Sequence, residues 1–295
     1  MGGPLFRTIR AVLMLVLVAA GAVAAGDRPA QAIANGQDAR AGAYPFAVLL
    51  IMTGLPAEGG GTRDSSCSGA LVAPRWVITA GHCFRERSGR RVSRPVARRT
   101  TAVVGRTAVT GRDGRLAEVV AVHQSDTADV ALARLSSPVT GITPLTIGTS
   151  APTAGEVVRL AGFGLTDDGD ATPATRLQTG QFTVDHVGTD LIETSGHAPH
   201  LDTSPCLHDS GGPYFREPPG RAPVLVAVVS SGPSCPHEGG DFSARIDTVS
   251  GWITGTIAAG SGSGRGVPRR LLPVAPVAAV LVVAGALLLI RRRNR

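Results

Sequence analysis

An all-β domain is the fold class this sequence predicts, and three observations predict it. Its apolar runs are short, of strand length, and are separated by Gly, Pro, Asp and Ser. Glycine and proline number 38 and 21 among 295 residues, which suits a chain that turns often. No long central segment carries helical periodicity. The length is enough for one sizeable domain with appendages at either end.

Residues 1–32 have the pattern of an export signal. Arg7 and Arg10 form a basic start, residues 11–25 are apolar, and Ala30-Gln31-Ala32 fits a small-x-small cleavage site. The rival site, Ala22-Val23-Ala24, leaves a short pro-segment at 25–32. All 29 basic residues are Arg, as expected of a GC-rich genome of the actinobacterial kind. The net charge of +7 is concentrated at the ends. Between residues 33 and 258, 19 Arg face 21 acidic residues, so a nucleic-acid partner has no electrostatic support.

Strand-length apolar runs follow at 47–52 and 70–78. The second leads into Thr79-Ala80-Gly81-His82-Cys83 and then into a loop with Arg85, Arg87, Arg90, Arg91, Arg94, Arg98 and Arg99. Such a loop is either a solvated surface or a preference for acidic substrates. Further strands are expected at 101–104 and 116–122. Asp129-Val130-Ala131-Leu132-Ala133-Arg134-Leu135 is a half-buried strand pattern opened by an acid, with Asp126 a competing carboxylate three residues before it. The run 157–163 leads into Gly162-Phe163-Gly164, and the polar segment 167–175 is a surface loop.

The motif with most chemistry is Cys206-Leu207-His208-Asp209-Ser210-Gly211-Gly212-Pro213. A serine becomes a nucleophile when a base takes its proton and nearby donors hold the oxyanion. With His82 and Asp129 upstream, the chain carries base, orienting carboxylate and nucleophile in the order His, Asp, Ser. The strand at 224–229 then runs into Ser230-Ser231-Gly232-Pro233-Ser234-Cys235, followed by Gly239-Gly240-Asp241-Phe242-Ser243 and a closing helix at 247–257. His186, His197 and His200 lack the accompanying acids of a metal site, and no metal is expected.

On these motifs, residues 33–257 resemble the trypsin/chymotrypsin-like serine endopeptidases. The resemblance implies two six-stranded antiparallel β-barrels and a short C-terminal helix. Four cysteines allow three connectivities; the resemblance selects Cys67–Cys83 and Cys206–Cys235, which an exported chain can keep. It implies that His82, Asp129 and Ser210 are catalytic, with the oxyanion held by the N–H groups of His208 and Ser210. His208 stands where the family has glycine. Ser204 is expected at the base of the specificity pocket, Gly232 and Gly240 on its walls, and Ser230 on the edge strand that pairs with substrate. A neutral base suits a large apolar or aromatic side chain, unless Asp202 or another acid reaches the pocket. Ile33-Ala34-Asn35-Gly36 resembles the family's activated N-terminus, and Asp209 is the acid expected to pair with the new ammonium.

Beyond the protease domain (33–258), 259–270 is a Gly/Ser/Arg-rich linker. Residues 271–290 are 20 apolar residues, about the length of a membrane span, and 291–295 form a basic tail. Arg-rich ends stay cytoplasmic, so the enzyme is expected outside the cell membrane as a single-pass protein. The expected activity is peptide-bond hydrolysis without metal or organic cofactor, on a protein or peptide substrate, by a monomer. Two alternatives stand beside it: an inactive homologue serving as a surface binding protein, and an esterase-like hydrolase using the same triad.

Overall fold

The computed structural model describes residues 33–86, 88–165 and 175–261. The expected leader (1–32), the surface loop up to residue 174, the apolar stretch 271–290 and the basic tail 291–295 lie outside them. Contacts divide the chain into Met1–Ile257 and Ala258–Arg295; of the second unit, 258–261 are described. Among the described residues no helix is long and apolar enough to cross a membrane.

Fourteen strands are formed among the described residues. In the first half, β1 (Gln37–Asp38) is followed by β2 (Ala47–Pro56), β3 (Thr62–Ala73), β4 (Trp76–Thr79), β5 (Arg99–Val104), β6 (Arg115–Gln124) and β7 (Ala131–Leu135). The last six of these close a barrel in the order β2-β3-β4-β7-β6-β5. Its interior is filled by short and branched side chains such as Val48, Leu50, Ala70, Ile78, Ala102 and Leu132, all fully buried. Closure leaves no bare strand edge and keeps every inner residue in one core. The single strand expected over 70–78 is instead a hairpin, because Pro74-Arg75 turns the chain between β3 and β4. Proline has no N–H for a central ladder, which ends β3 there.

The second half contributes β8 (Thr146–Ile147), β9 (Val157–Gly162), β10 (Gln178–Val187), β11 (Leu191–Ala198), β12 (Pro213–Arg216), β13 (Val224–Ser231) and β14 (Asp241–Arg245). Six of them run in the order β9-β10-β11-β14-β13-β12, and β12 pairs back onto β9 to close a second antiparallel barrel. Ile33, Val158, Leu160, Phe182, Val184, Ile192 and Tyr214 pack in its core. The strand β1 extends this sheet by pairing with β10, and β8 runs parallel to β13. The closing helix α1 spans Ser250–Ser261 after a single 3-10 turn at Asp247–Val249, so helix begins later than expected and continues into the segment read as linker. The sequence Ala258-Ala259 favours helix, and tolerates the glycines around it.

Two disulfides are closed. Cys67–Cys83 ties β3 to the turn carrying His82, and Cys206–Cys235 ties the Ser210 loop to the segment after β13. These are the pairs implied by the resemblance. Each removes loop-closure entropy from the unfolded chain, worth about 2–4 kcal/mol.

Candidate active site

His82 sits in a single 3-10 turn, Gly81–Phe84, at the end of β4. Asp129 lies just before β7, the neighbour of β4, so barrel closure sets the two side by side. His82 Nδ1 is 2.7 Å from Asp129 Oδ2, and the His82 backbone N–H donates to Oδ1 at 2.9 Å. Ser230, near the end of β13, donates its hydroxyl to Oδ2 at 2.8 Å. Arg85 lies 3.3 Å from Oδ1. Burial works to raise the Asp129 carboxyl, but the hydrogen bond from His82, its charge and the Ser230 hydroxyl together hold it below the usual range. A carboxylate so held is an anion fit to orient an imidazole and stabilise its charged form. Asp126, the competing acid, is out on the surface in an ion pair with Arg91 at 2.7 Å.

Ser210 lies in the loop between Cys206 and β12. Its carbonyl accepts the Ser68 N–H at 3.0 Å, which fastens the loop to β3. Gly211, at φ +80°, allows the approach: a Cβ there would stand 2.0 Å from Thr79 Oγ1 and 2.5 Å from Ala80 N. The loop therefore packs against the two residues that lead into His82. His208 adopts φ +76°. It thus takes up the left-handed angle that glycine adopts freely, at a cost of about 1–2 kcal/mol. Its Nδ1 lies 2.8 Å from the Ser66 carbonyl, and its own carbonyl accepts the Ser68 hydroxyl at 3.1 Å. Those anchors hold the strained residue in place.

Asp209 is fully buried. Its oxygens accept the backbone N–H groups of Cys206 and Gly164, at 3.0 and 2.9 Å. Burial raises its carboxyl well above the ordinary range; the two amides act the other way, and the charge of Asp241 adds to the rise. Ile33 is also fully buried, and the chain after it bridges to Ser204 through Ala34.

A cleft of about 310 Å³ opens beside Ser210, with Leu207, Ser231, Gly232 and Asp241 among its lining. Ser204 and Gly240, two of the expected pocket residues, are not among the residues lining this cleft. Ser204 is fully buried, its N–H given to the Ala34 carbonyl and its hydroxyl accepting the His237 N–H. Gly240 faces Glu193, whose Oε1 would be 2.1 Å from an added Cβ, and the wall residue is its neighbour Asp241. Ser230 lines the cleft, but its hydroxyl is directed to Asp129. A one-residue step along a strand reverses which face a side chain meets, and register of this kind is set by tertiary pairing.

A second Asp, Ser and His gather on the β10–β11 hairpin without forming a relay. Ser195 donates directly to Asp185 at 3.0 Å, and His197 Nδ1 meets Thr183 at 3.2 Å. His186 lies on β10, and His200 follows β11. Among the described residues no group of three or more His, Cys, Asp or Glu is arranged to hold a metal.

Residues 33–253 match the family model described as Trypsin. The chain belongs to the trypsin family. It carries a trypsin-like serine protease domain. It is 30% identical over 270 residues to mouse Serine protease 56, covering 81% of this chain and 41% of that one. It is 41% identical over 72 residues to human Chymotrypsin-like elastase family member 3B, covering 24% and 25% of the two chains. Trypsin iota of Drosophila melanogaster is 28% identical over 192 residues, covering 57% and 69%. The trypsin-family chain thus spans less than half the length of the first two relatives.

Proposed function

We propose that this trypsin-family protein is a serine endopeptidase with His82, Asp129 and Ser210 as its catalytic residues. The observation that carries the reading is the 2.7 Å contact between His82 Nδ1 and the anionic Asp129. It leaves Nε2 as the basic nitrogen of the ring. In the mechanism, Nε2 takes the Ser210 proton as Oγ attacks the scissile carbonyl. The N–H groups of Ser210 and His208 hold the oxyanion. His82 returns the proton to the leaving amine, and water releases the acyl group by the same steps in reverse. Neither a metal nor an organic cofactor enters any step.

The buried Asp209 supports a further part of the reading, that cleavage before Ile33 activates the enzyme. A lone carboxylate in a dry site calls for a cation. An ammonium at Ile33 would supply it, and signal cleavage after Ala32 would make that terminus directly. The domain boundaries (33–258, linker 259–270, span 271–290, tail 291–295) complete the proposal of a single-pass membrane protein with its protease domain outside. The apolar length of 271–290 and the arginines after it support that orientation.

The test is labelling of the full chain with a fluorophosphonate probe, with Ser210→Ala as control. Labelling that disappears in the variant is the expected result. Folded protein with a mature Ile33 terminus and no labelling would overturn the enzyme reading in favour of a binding protein. Hydrolysis of simple esters without peptides would favour the esterase-like one.

A further inference from the structure

The acid in the cleft is Asp241, and its surroundings are incomplete. It begins β14 and lines the cleft with only 2% of its surface exposed. Oδ1 lies 3.3 Å from His237 Nε2, but neither that nitrogen nor Asp241 Oδ2 has a hydrogen-bond partner among the described residues. Oδ1 also presses against the cleft's other wall: a Cβ on Gly232 would stand 2.0 Å from it. Glycine at 232 is therefore what admits the carboxylate between the walls.

The nearby groups do not satisfy it. Asp209 and Tyr214 are near enough for Asp241 to raise both, so each is itself an acid facing this corner. Glu193 of β11 packs against the adjacent Gly240. His237 is the single basic neighbour that these contacts provide. A buried carboxylate oxygen without a donor is rare in a folded protein and calls for a partner. Here the open side is the cleft beside Ser210. An apolar side chain entering there would drive out water and leave Oδ2 bare. A cationic one would complete its hydrogen bonding and offset the excess of acids.

We propose that Asp241 is the specificity-determining residue of the cleft, selecting peptides whose residue before the scissile bond ends in a guanidinium or ammonium. This rests on the peptidase reading above. It replaces the apolar preference expected from Ser204, and it places the selecting acid on the wall strand rather than in the loop that holds Asp202 and Ser204. Burial raises the Asp241 carboxyl to about 8, so the assay belongs at pH 9, where the empty cleft carries the anion.

The full chain, purified in detergent, is first titrated with fluorophosphonate to count reactive Ser210. Matched peptides are then compared with Arg, citrulline or Leu at the selected position. Citrulline keeps the shape of Arg and removes its charge. The expected kcat/KM is at least thirtyfold higher for Arg than for citrulline, and Asp241→Asn, still labelled at Ser210, brings the two within about threefold. A ratio near one in labelled wild-type protein overturns the proposal, as does a ratio unchanged in Asp241→Asn. If wild-type Ser210 does not label, the peptidase reading fails separately. Binding of p-aminobenzamidine then decides: a tenfold loss in Asp241→Asn keeps the cation site, and equal or absent binding removes it.

Discussion

Ser230 donates its hydroxyl to Asp129 Oδ2 at 2.8 Å across 101 residues of sequence. The bond joins the two barrels, since Ser230 lies near the end of a strand of the second and Asp129 just before a strand of the first. It leaves the main chain of Ser230 on the cleft while its hydroxyl serves the carboxylate that holds His82.

Ser230→Ala should therefore act on turnover rather than on substrate binding. A hydrogen bond to a charged group is worth about 1.5–3 kcal/mol, and three other contacts to Asp129 remain. A fall of about tenfold in kcat with little change in KM is expected. Steady-state kinetics of the single variant checks it; a rise in KM at constant kcat would assign the side chain to substrate instead.

His208 should rank between glycine and alanine. His208→Gly removes the left-handed strain, and His208→Ala keeps the strain while losing the anchor on Ser66. Melting temperatures and kcat are expected to order as Gly at or above His, and His above Ala. The separation between the variants should be on the order of 1–2 kcal/mol. Equal behaviour of Ala and Gly would show that the backbone angle is not strained.

Asp209→Asn removes the buried acid expected to receive the Ile33 ammonium. Breaking one side of a buried pair costs about 3–5 kcal/mol, so activity should fall by about 10²–10³-fold. A peptide extension left ahead of Ile33 should have the same effect. N-terminal sequencing beside an activity assay reads both; full activity with a start at residue 25 would remove the activation pair.

Asp241 should make the fold sensitive to alkali. Its carboxyl is raised to about 8 by burial, so between the ordinary carboxylate range and pH 8 the native state binds more protons than the unfolded one. Stability then falls as pH rises through that window. Asp241→Asn, which stays neutral, should melt higher than wild type at pH 9, and the gap should shrink toward pH 5. Thermal melts at the two pH values are the check. A residue that weakens the fold in this way while facing a cleft is better explained by a ligand than by packing.

Much of this architecture is legible in the chain. The order His82, Asp129, Ser210 and the four cysteines suffice to suggest the family, because each motif is local and carries its own chemistry. Short apolar runs locate the barrel strands for the same reason. What escapes is whatever depends on partners distant in sequence. Nothing around Ser230 announces that its hydroxyl faces Asp129. Nothing near Ser204 announces that His237 and Ala34 bury it. Gly240 and Asp241 are adjacent, and only the pairing of β14 with β11 and β13 decides which one meets the cleft. Pro74 is the exception: its turn signal is local, but the apolar run on both sides of it masks the hairpin.

The contact between Gly232 and Asp241 has a consequence for descent. With the carboxylate 2.0 Å from where a Cβ would be, neither position can drift alone. A lineage that gains a side chain at 232 must first shorten or lose the acid at 241. A lineage that keeps the acid is confined to glycine opposite. The two sites should change together, so reading both letters in any related chain would sort it by what its cleft accepts before an assay is run.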